Sequence, residues 1–173
     1  MAEQTPSLMT FYAGWGRSEK QLVGMLAPLT REQLALPAGS HHWSIGSVVQ
    51  HLVGNRVWWF QYWMGAGDSA LAPLAHWDPA DVAHTPVSDP GELIAGLEST
   101  WELVAGALAG WTHADLPQTF SPPDALSEED REMFGPASME WIIWHVLEHE
   151  ILHAGELSLA LGSYGLPGFY GAM

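Results

Sequence analysis

Apolar residues recur every three or four positions along four stretches of the chain, a spacing that places them on one face of an α-helix. Residues typical of helix ends bound these stretches: Ser44 and Ser138 are good N-caps, and glycine or proline follows each stretch. The predicted helices, in order, are residues 5–28, Ser44 to a stop at Gly65–Gly67, residues 91–110, and Ser138 to Gly162 or Gly165. No stretch alternates with the period of two that indicates a half-buried strand.

The segments between these helices are rich in proline and predict long loops. Residues 66–87 contain three prolines, and residues 111–136 contain four. An acidic run at 127–132 predicts one short helical turn inside the second loop. Four helices joined by loops describe an all-α bundle, an architecture that places metal and cofactor sites between facing helices. Most of the ten tryptophans, Trp141 among them, are expected in its core.

The composition limits the domain count and the classes of function. A chain of 173 residues, 47% of them apolar, predicts a single domain (residues 1–173) with a sizeable core. Twenty acidic against five basic residues give a formal charge of −15, which opposes binding to nucleic acid or to an anionic membrane surface and attracts cations. The absence of cysteine excludes disulfides, iron–sulfur clusters and thiolate zinc sites.

Neither a signal peptide nor a membrane span is predicted. Residues 1–6 have no basic region followed by an apolar core. No apolar run approaches the ~18 residues that span a bilayer. We therefore expect a cytoplasmic protein.

Histidines on the fourth predicted helix are the strongest chemical signal. His145, His149 and His153 are four residues apart, so the Cβ atoms of His149 and His153 lie roughly 6 Å apart on one face. Two imidazoles at that spacing can reach one metal ion, but a stable site needs at least three protein ligands. The candidate third ligand is His51, which lies on the apolar face of the second helix, one turn before Asn55.

The histidines also have a metal-free interpretation. A single histidine on an apolar face is usually a neutral core residue with a hydrogen-bond partner, and this holds for each of the four taken alone. Stacked neutral imidazoles, however, offer one another few hydrogen-bond donors. A fourth histidine directed inward from another helix therefore favours a metal site.

The placement of these histidines resembles the motifs of the DinB-like family, also described as YfiT-like metal-dependent hydrolases. The resemblance lies in Trp43-Ser-Ile followed by His51-Leu on the second helix, and in His149-Glu-Ile-Leu-His153-Ala-Gly-Glu156 on the fourth. It extends over nearly the whole chain in order and length. It implies an up-down-down-up four-helix bundle that is often a homodimer.

The resemblance further implies one divalent metal ion, zinc or nickel, bound by His51, His149 and His153. Three other polar residues on the same helix faces are expected to line the pocket or to support the ligands. They are His145, Asn55 and Glu156.

After the last ligand position the chain departs from the family pattern. Relatives often read His-Arg-Gly-Gln, whereas here His153 is followed by Ala154, Gly155 and Glu156. The missing arginine removes a contact for an anionic substrate, and Glu156 adds a carboxylate one turn past His153.

The segment His149-Glu150-Ile-Leu-His153 also matches the H-E-x-x-H signature of zinc metalloproteases, in which the glutamate is the general base. The downstream ligand of those enzymes has no good candidate, because Glu156 is the only acidic residue after His153. Helix geometry also favours Glu156 over Glu150 as a base, since Glu150 is rotated by about 100° from His149. The sequence favours the bundle site over the protease.

Two classes of function fit these observations. In the first, a metal ion on three imidazoles lowers the pKa of bound water toward ~7, or activates a thiol. The protein is then a hydrolase, or a transferase that uses a low-molecular-weight thiol with a small-molecule substrate. In the second, it is a non-catalytic stress-response or ligand-binding bundle in which the metal is structural.

Overall fold

The computed structural model describes residues 5–39, 43–124 and 126–171 and is mostly helical. The α-helices are α1 (Leu8–Phe11), α2 (Ala13–Leu26), α3 (Arg31–Leu34), α4 (Ile45–Arg56), α5 (Pro90–Gly110), α6 (Glu128–Phe134) and α7 (Met139–Ser163). A π-helical segment (Val57–Trp63) continues α4, a 3-10 helix spans Ser69–Trp77, and two short antiparallel strands are β1 (Thr119–Phe120) and β2 (Ala137–Ser138). Among these residues no helix has both the length and the apolar character that crossing a membrane requires.

The ends of the long helices follow the capping residues of the sequence. Ser44 Oγ accepts a hydrogen bond from Ser47 N at 3.1 Å before α4, and Ser138 Oγ accepts one from Trp141 N at 3.4 Å before α7. The π-helical segment ends before Gly65, whose φ of 66° lies in the left-handed region that favours glycine. The second, third and fourth predicted helices are therefore confirmed, the second with a π-helical end.

Two other segments differ from the prediction. The predicted helix 5–28 is divided at Tyr12 into α1 and α2. The loop predicted at 66–87 contains a 3-10 helix, which Asp68 caps by accepting a hydrogen bond from Ala70 N at 2.8 Å. Its internal Pro73 signals a break in an α-helix, but the φ that proline fixes near −65° suits a 3-10 turn.

Helices α4 and α5 run in the same direction. A side chain at Gly46, near the start of α4, would contact Leu93, near the start of α5. Gly67, just after the π-helical segment, lies against Leu103 further along α5. The long connection between them, residues 64–89, returns the chain to the end from which α4 begins.

Helix α2 runs opposite to α4. Trp15 contacts Phe60 at a ring-centroid distance of 6.3 Å, whereas Glu19, further along α2, forms an ion pair with the earlier residue Arg56. Residues later in α2 therefore contact residues earlier in the α4 segment, so the two helices are antiparallel.

Helix α7 is also antiparallel to α4. Trp141 in its first turn contacts Trp59 of the π-helical segment at 5.6 Å between ring centroids, and His149 two turns later contacts the earlier residue His51 at 4.7 Å. The four long helices α2, α4, α5 and α7 thus run up, down, down and up, which confirms the predicted bundle.

One arginine connects all four of these helices. Arg56 on α4 is completely buried and forms a two-bond fork with Glu150 on α7, through Nε to Oε1 at 2.6 Å and Nη2 to Oε2 at 3.0 Å. Its Nη2 also donates to Glu19 of α2, and its Nη1 donates to the carbonyl of Leu97 on α5 at 2.9 Å. Trp15 of α2 completes the cluster by donating Nε1–H to Glu150 Oε2 at 2.7 Å.

The charges of this cluster perturb each other. Burial raises the pKa of Glu19, and Arg56 opposes that rise. Burial alone would lower the pKa of Arg56, but the adjacent Glu150 and Glu19 outweigh burial and raise it above its ordinary value. The guanidinium is therefore a permanent cation inside the bundle.

Tryptophan burial follows the expectation only in part. Trp15, Trp59 and Trp63 are buried, but Trp141 is 40% exposed and Trp144 is 57% exposed. The core position predicted for Trp141 is wrong, because α7 is apolar on nearly every side and its sequence pattern does not show which face is outward.

Candidate metal centre

The structure brings His51, His149 and His153 together across the interface between α4 and α7. One nitrogen of each ring lies within 4.8 Å of the other two, and all three side chains are partly buried. The Nε2 atoms of His51 and His149 are 2.9 Å apart, and the ring centroids of His51 and His153 are 5.1 Å apart. Metal–nitrogen bonds are about 2.1 Å long, so one cation can reach all three rings after small side-chain rotations.

Helix geometry accounts for this convergence. His149 and His153 are one turn apart on α7, with ring centroids separated by 4.5 Å. His51 lies in the second turn of α4, whose start the Ser44 cap defines, and its ring packs against that of Trp43 at 4.8 Å. Each helix therefore fixes its own histidines, and the antiparallel packing of α4 on α7 sets the distance between them.

A carboxylate from the connection between α4 and α5 supports His51. Nδ1 of His51 donates to Asp78 Oδ2 at 2.8 Å, and Asp78 directly follows the 3-10 helix. The other carboxylate oxygen accepts a hydrogen bond from Ala80 N at 2.9 Å, so the side chain is held from two sides.

Two neighbours of His51 hold the same connection against α4. Gln50 Oε1 accepts a hydrogen bond from Val87 N at 2.8 Å. A Cβ atom at Gly54 would come within 3.0 Å of the Ala75 carbonyl and of Asp78 N, so only glycine allows this close approach. Three positions within two turns of α4 thus bind residues 75–87 to the helix.

A second carboxylate supports His153. Nδ1 of His153 donates to Glu156 Oε2 at 2.7 Å, within α7 itself. A carboxylate only accepts hydrogen bonds, so both His51 and His153 carry a proton on Nδ1, and Nε2 is the ring nitrogen left to bind a metal ion. Carboxylates placed behind histidine ligands in this way fix the ring orientation and increase the basicity of the ligating nitrogen.

His149 is the most perturbed member of the group. Burial, followed by the neighbouring His51, His153 and His145, lowers its pKa to about 3, so it is neutral at physiological pH. Its Nδ1 is buried and has no hydrogen-bond partner among the described residues. If Nδ1 carries the proton, the Nε2 lone pairs of His51 and His149 face each other at 2.9 Å, an arrangement that a cation between them makes favourable.

The donor set fits a divalent transition metal. Neutral imidazole nitrogens suit zinc, nickel, copper and iron, whereas calcium and magnesium prefer oxygen ligands. The three partly buried imidazoles would provide the ligands of a cation, and the supporting carboxylates of Asp78 and Glu156 would balance its charge.

His145 lies beside the group but packs on tryptophans. Its ring stacks on Trp141 at a centroid distance of 4.8 Å and an interplanar angle of 6°, and meets the edge of Trp59 at 4.9 Å. The ring of His149 is 6.1 Å away. Burial lowers the pKa of His145, which keeps this neighbour uncharged.

The remaining predicted residues occupy distinct places. Asn55 follows His51 by one turn, and its Oδ1 is buried with no partner among the described residues. Glu156 is held by His153, so its geometry is that of a supporting group and not of a general base. Glu150 is engaged by Arg56 and Trp15 away from the three imidazoles, which removes the base that the H-E-x-x-H interpretation requires.

A cleft of about 420 Å³ lies next to Asp78, and none of the three histidines is among its lining residues. Asp78 lines it together with Trp58 of the π-helical segment, Val82 of the connection and Phe134 of α6. The carboxylate that supports His51 therefore also faces a space of small-molecule size with largely apolar walls.

Residues 15–157 of the sequence match the family model of the DinB superfamily. The chain belongs to the DinB superfamily. Its structure is similar to the crystal structure of a DinB-like protein from Bacillus cereus ATCC 10987, with a TM-score of 0.64 and 18% sequence identity over 94% of this chain and 96% of that one. This likeness supports the fold alone, and a comparison with curated proteins gave no match.

In this DinB-superfamily protein, the sequence reasoning missed Asp78 and Arg56. Asp78 stands in a proline-containing segment with no periodicity, 27 residues from His51, and nothing in the pattern connects the two. A weak sequence feature could have indicated Arg56: it is a lone charge inside an apolar stretch, in a chain with only five basic residues.

The depressed pKa of His149 predicts acid sensitivity of the metal-free protein. Because the folded state binds the proton less readily than the unfolded state, the stabilisation is complete above about pH 6.5 and is lost as the pH falls toward 3. Urea unfolding of the metal-free protein between pH 7.5 and 4 should therefore give a free energy of unfolding that decreases with acidity. His149→Phe should flatten this dependence and the exposed control His113→Phe should not; an equal slope in all three proteins would contradict the assignment.

Proposed function

We propose that this protein binds one divalent transition metal ion, zinc or nickel, through His51, His149 and His153 and uses it to activate a small nucleophile against a small-molecule substrate. The observation that carries the proposal is the convergence of three imidazoles, two of which, those of His51 and His153, are oriented by carboxylates. When His149 carries its proton on Nδ1, the facing Nε2 atoms of His51 and His149 have no hydrogen between them, and a cation between them replaces the missing donor.

The chemistry that such an ion supplies is a lowered pKa of a bound water or thiol. The residues of the chain provide orientation and access. Asp78 and Glu156 hold the His51 and His153 rings, and the cleft lined by Trp58, Phe134 and Asp78 offers space for an apolar group on the far side of Asp78.

Two reactions share this chemistry: hydrolysis, and transfer to a low-molecular-weight thiol. Ala154 stands where relatives often have arginine, so the chain lacks that contact for an anionic substrate. The formal charge of −15 also disfavours strongly anionic substrates. We therefore propose a neutral or weakly charged substrate with an apolar part.

The assembly and location remain predictions. An outward face of α7 exposes Trp144, Ile151, Leu152 and Leu159, and apolar surface of this kind is compatible with the homodimer that the family resemblance implies. The single-domain organisation and the cytoplasmic location likewise stay as the sequence predicts them.

Removal of any one of the three ligands should abolish stoichiometric metal binding. The wild-type protein, stripped and reloaded, should retain about one zinc or nickel ion per chain in elemental analysis, and His51→Ala, His149→Ala and His153→Ala should each retain almost none. The exposed His113→Ala is the matched control. Equal metal content in all variants, or none in the wild type, would refute the metal site.

Asp78 should contribute to metal affinity without touching the ion. Asp78→Asn removes the carboxylate behind His51, and the loss of such a supporting group costs about 10- to 100-fold in metal affinity. Competition with a chromophoric chelator measures the change. Asp81→Asn alters a carboxylate of the same connection that binds His76, and should leave the affinity unchanged.

Catalysis should depend on the metal and distinguish the two nucleophiles. The zinc- or nickel-loaded protein should accelerate either hydrolysis of a nitrophenyl ester or reaction of a small thiol with an aromatic electrophile, and chelation or His153→Ala should abolish the acceleration. Metal bound at full occupancy with neither activity, and with no exchangeable position for thiol binding in a cobalt-loaded sample, would show that the ion is structural.

A further inference from the structure

The buried ion pair between Arg56 and Glu150 lies close to the histidine group along both α4 and α7. Arg56 follows His51 by five residues on α4, an axial distance of about 7.5 Å. Its partner Glu150 directly follows His149 on α7. The ion pair and the histidine contact therefore occupy neighbouring strips of one helix interface.

The geometry of the ion pair is well suited to fixing one helix against another. Two parallel bonds of 2.6 and 3.0 Å join the planar guanidinium to the carboxylate, so neither sliding nor rotation of α7 leaves both intact. Trp15 holds the same carboxylate from α2 at 2.7 Å, and the Leu97 carbonyl holds the guanidinium from α5 at 2.9 Å. Contacts from α2 and α5 thus hold the ion pair that lies between α4 and α7.

A metal centre shared by two helices needs this accuracy. A shift of one residue along α7 is about 1.5 Å, whereas a productive site tolerates about 0.5 Å. Apolar contacts between α4 and α7 are not directional and do not select a position that finely. The Nε2–Nε2 distance of 2.9 Å between His51 and His149 therefore depends on a directional contact nearby.

We propose that Arg56 and Glu150 are positioning residues for the metal centre, which hold α4 and α7 in the register that brings His51 to His149 and His153. The inference rests on the proposed metal-binding function. Buried ion pairs are often neutral or unfavourable for stability compared with apolar residues of similar size, and their directionality provides specificity of packing in some proteins. This pair supplies alignment, and the bundle can fold without it.

The test replaces the whole polar cluster at once. The apolar variant Trp15→Phe/Glu19→Leu/Arg56→Met/Glu150→Leu removes every charged group of the cluster, and the Leu97 carbonyl keeps its hydrogen bond from Thr100 Oγ1 at 3.2 Å. The variant should therefore remain folded, with helical circular dichroism and a urea midpoint at or above that of the wild type. Its affinity for zinc should nevertheless fall at least tenfold, and the visible absorption spectrum of the cobalt(II)-loaded protein should change. Wild-type affinity and an unchanged spectrum would overturn the proposal.

A second variant decides the question if the apolar variant does not fold. Arg56→Lys keeps the charge but loses the planar fork, and it should also lower zinc affinity at least tenfold while the helical signal persists. Arg31→Met is the control for loss of an arginine, because Arg31 is exposed and pairs with Asp89 at 3.7 Å. Wild-type zinc affinity in Arg56→Lys would overturn the proposal.

The metal site and the positioning role of Arg56 and Glu150 can be refuted separately. If the wild-type protein binds no zinc, nickel or cobalt, the metal site itself is refuted. If the wild type binds zinc and the cluster variants bind it equally well, the site stands and only the positioning role is refuted.

Discussion

A single guanidinium, removed from water and bound by groups on the other three long helices, is the directional contact that joins all four long helices of this bundle. Placing Arg56 in the interior is unfavourable unless its charge is matched and its donors are paired. Glu150 and Glu19 match the charge, and the Leu97 carbonyl takes a further donor. These groups, which come from α2, α4, α5 and α7, meet in the up-down-down-up packing, and their hydrogen bonds are directional whereas apolar contacts are not.

The histidine group is built on that packing. Its rings come from two antiparallel helices, and the carboxylates behind them come from two different places: Glu156 from within α7, and Asp78 from a connection outside the bundle. Local helix periodicity produces the pair His149 and His153, while tertiary structure produces the contact with His51. The spacing along the sequence therefore fixes the pair of histidines on α7, and only the folded bundle adds His51 to it.

This division explains how much the sequence could reveal. The four long helices were predictable because their apolar periodicity and their caps, such as Ser44 and Ser138, act locally. His51 could be selected because it is a histidine on the apolar face of the second predicted helix. Asp78 could not, because it belongs to a segment without periodicity whose position depends on contacts with Gly54 and Gln50. The outward position of Trp141 was hidden because apolar residues lie on nearly every side of α7.

The attachment of residues 75–87 to α4 has a thermodynamic consequence. His51 is at once a member of the histidine group and the anchor of this segment through Asp78, so any ligand that immobilises the His51 ring also favours the attached form of the segment. By reciprocity, whatever binds in the adjoining cleft and orders the segment strengthens the grip on that ligand by the same free energy. Any exchange of residues 75–87 between attached and detached forms would therefore be coupled to occupancy of the interhelical group.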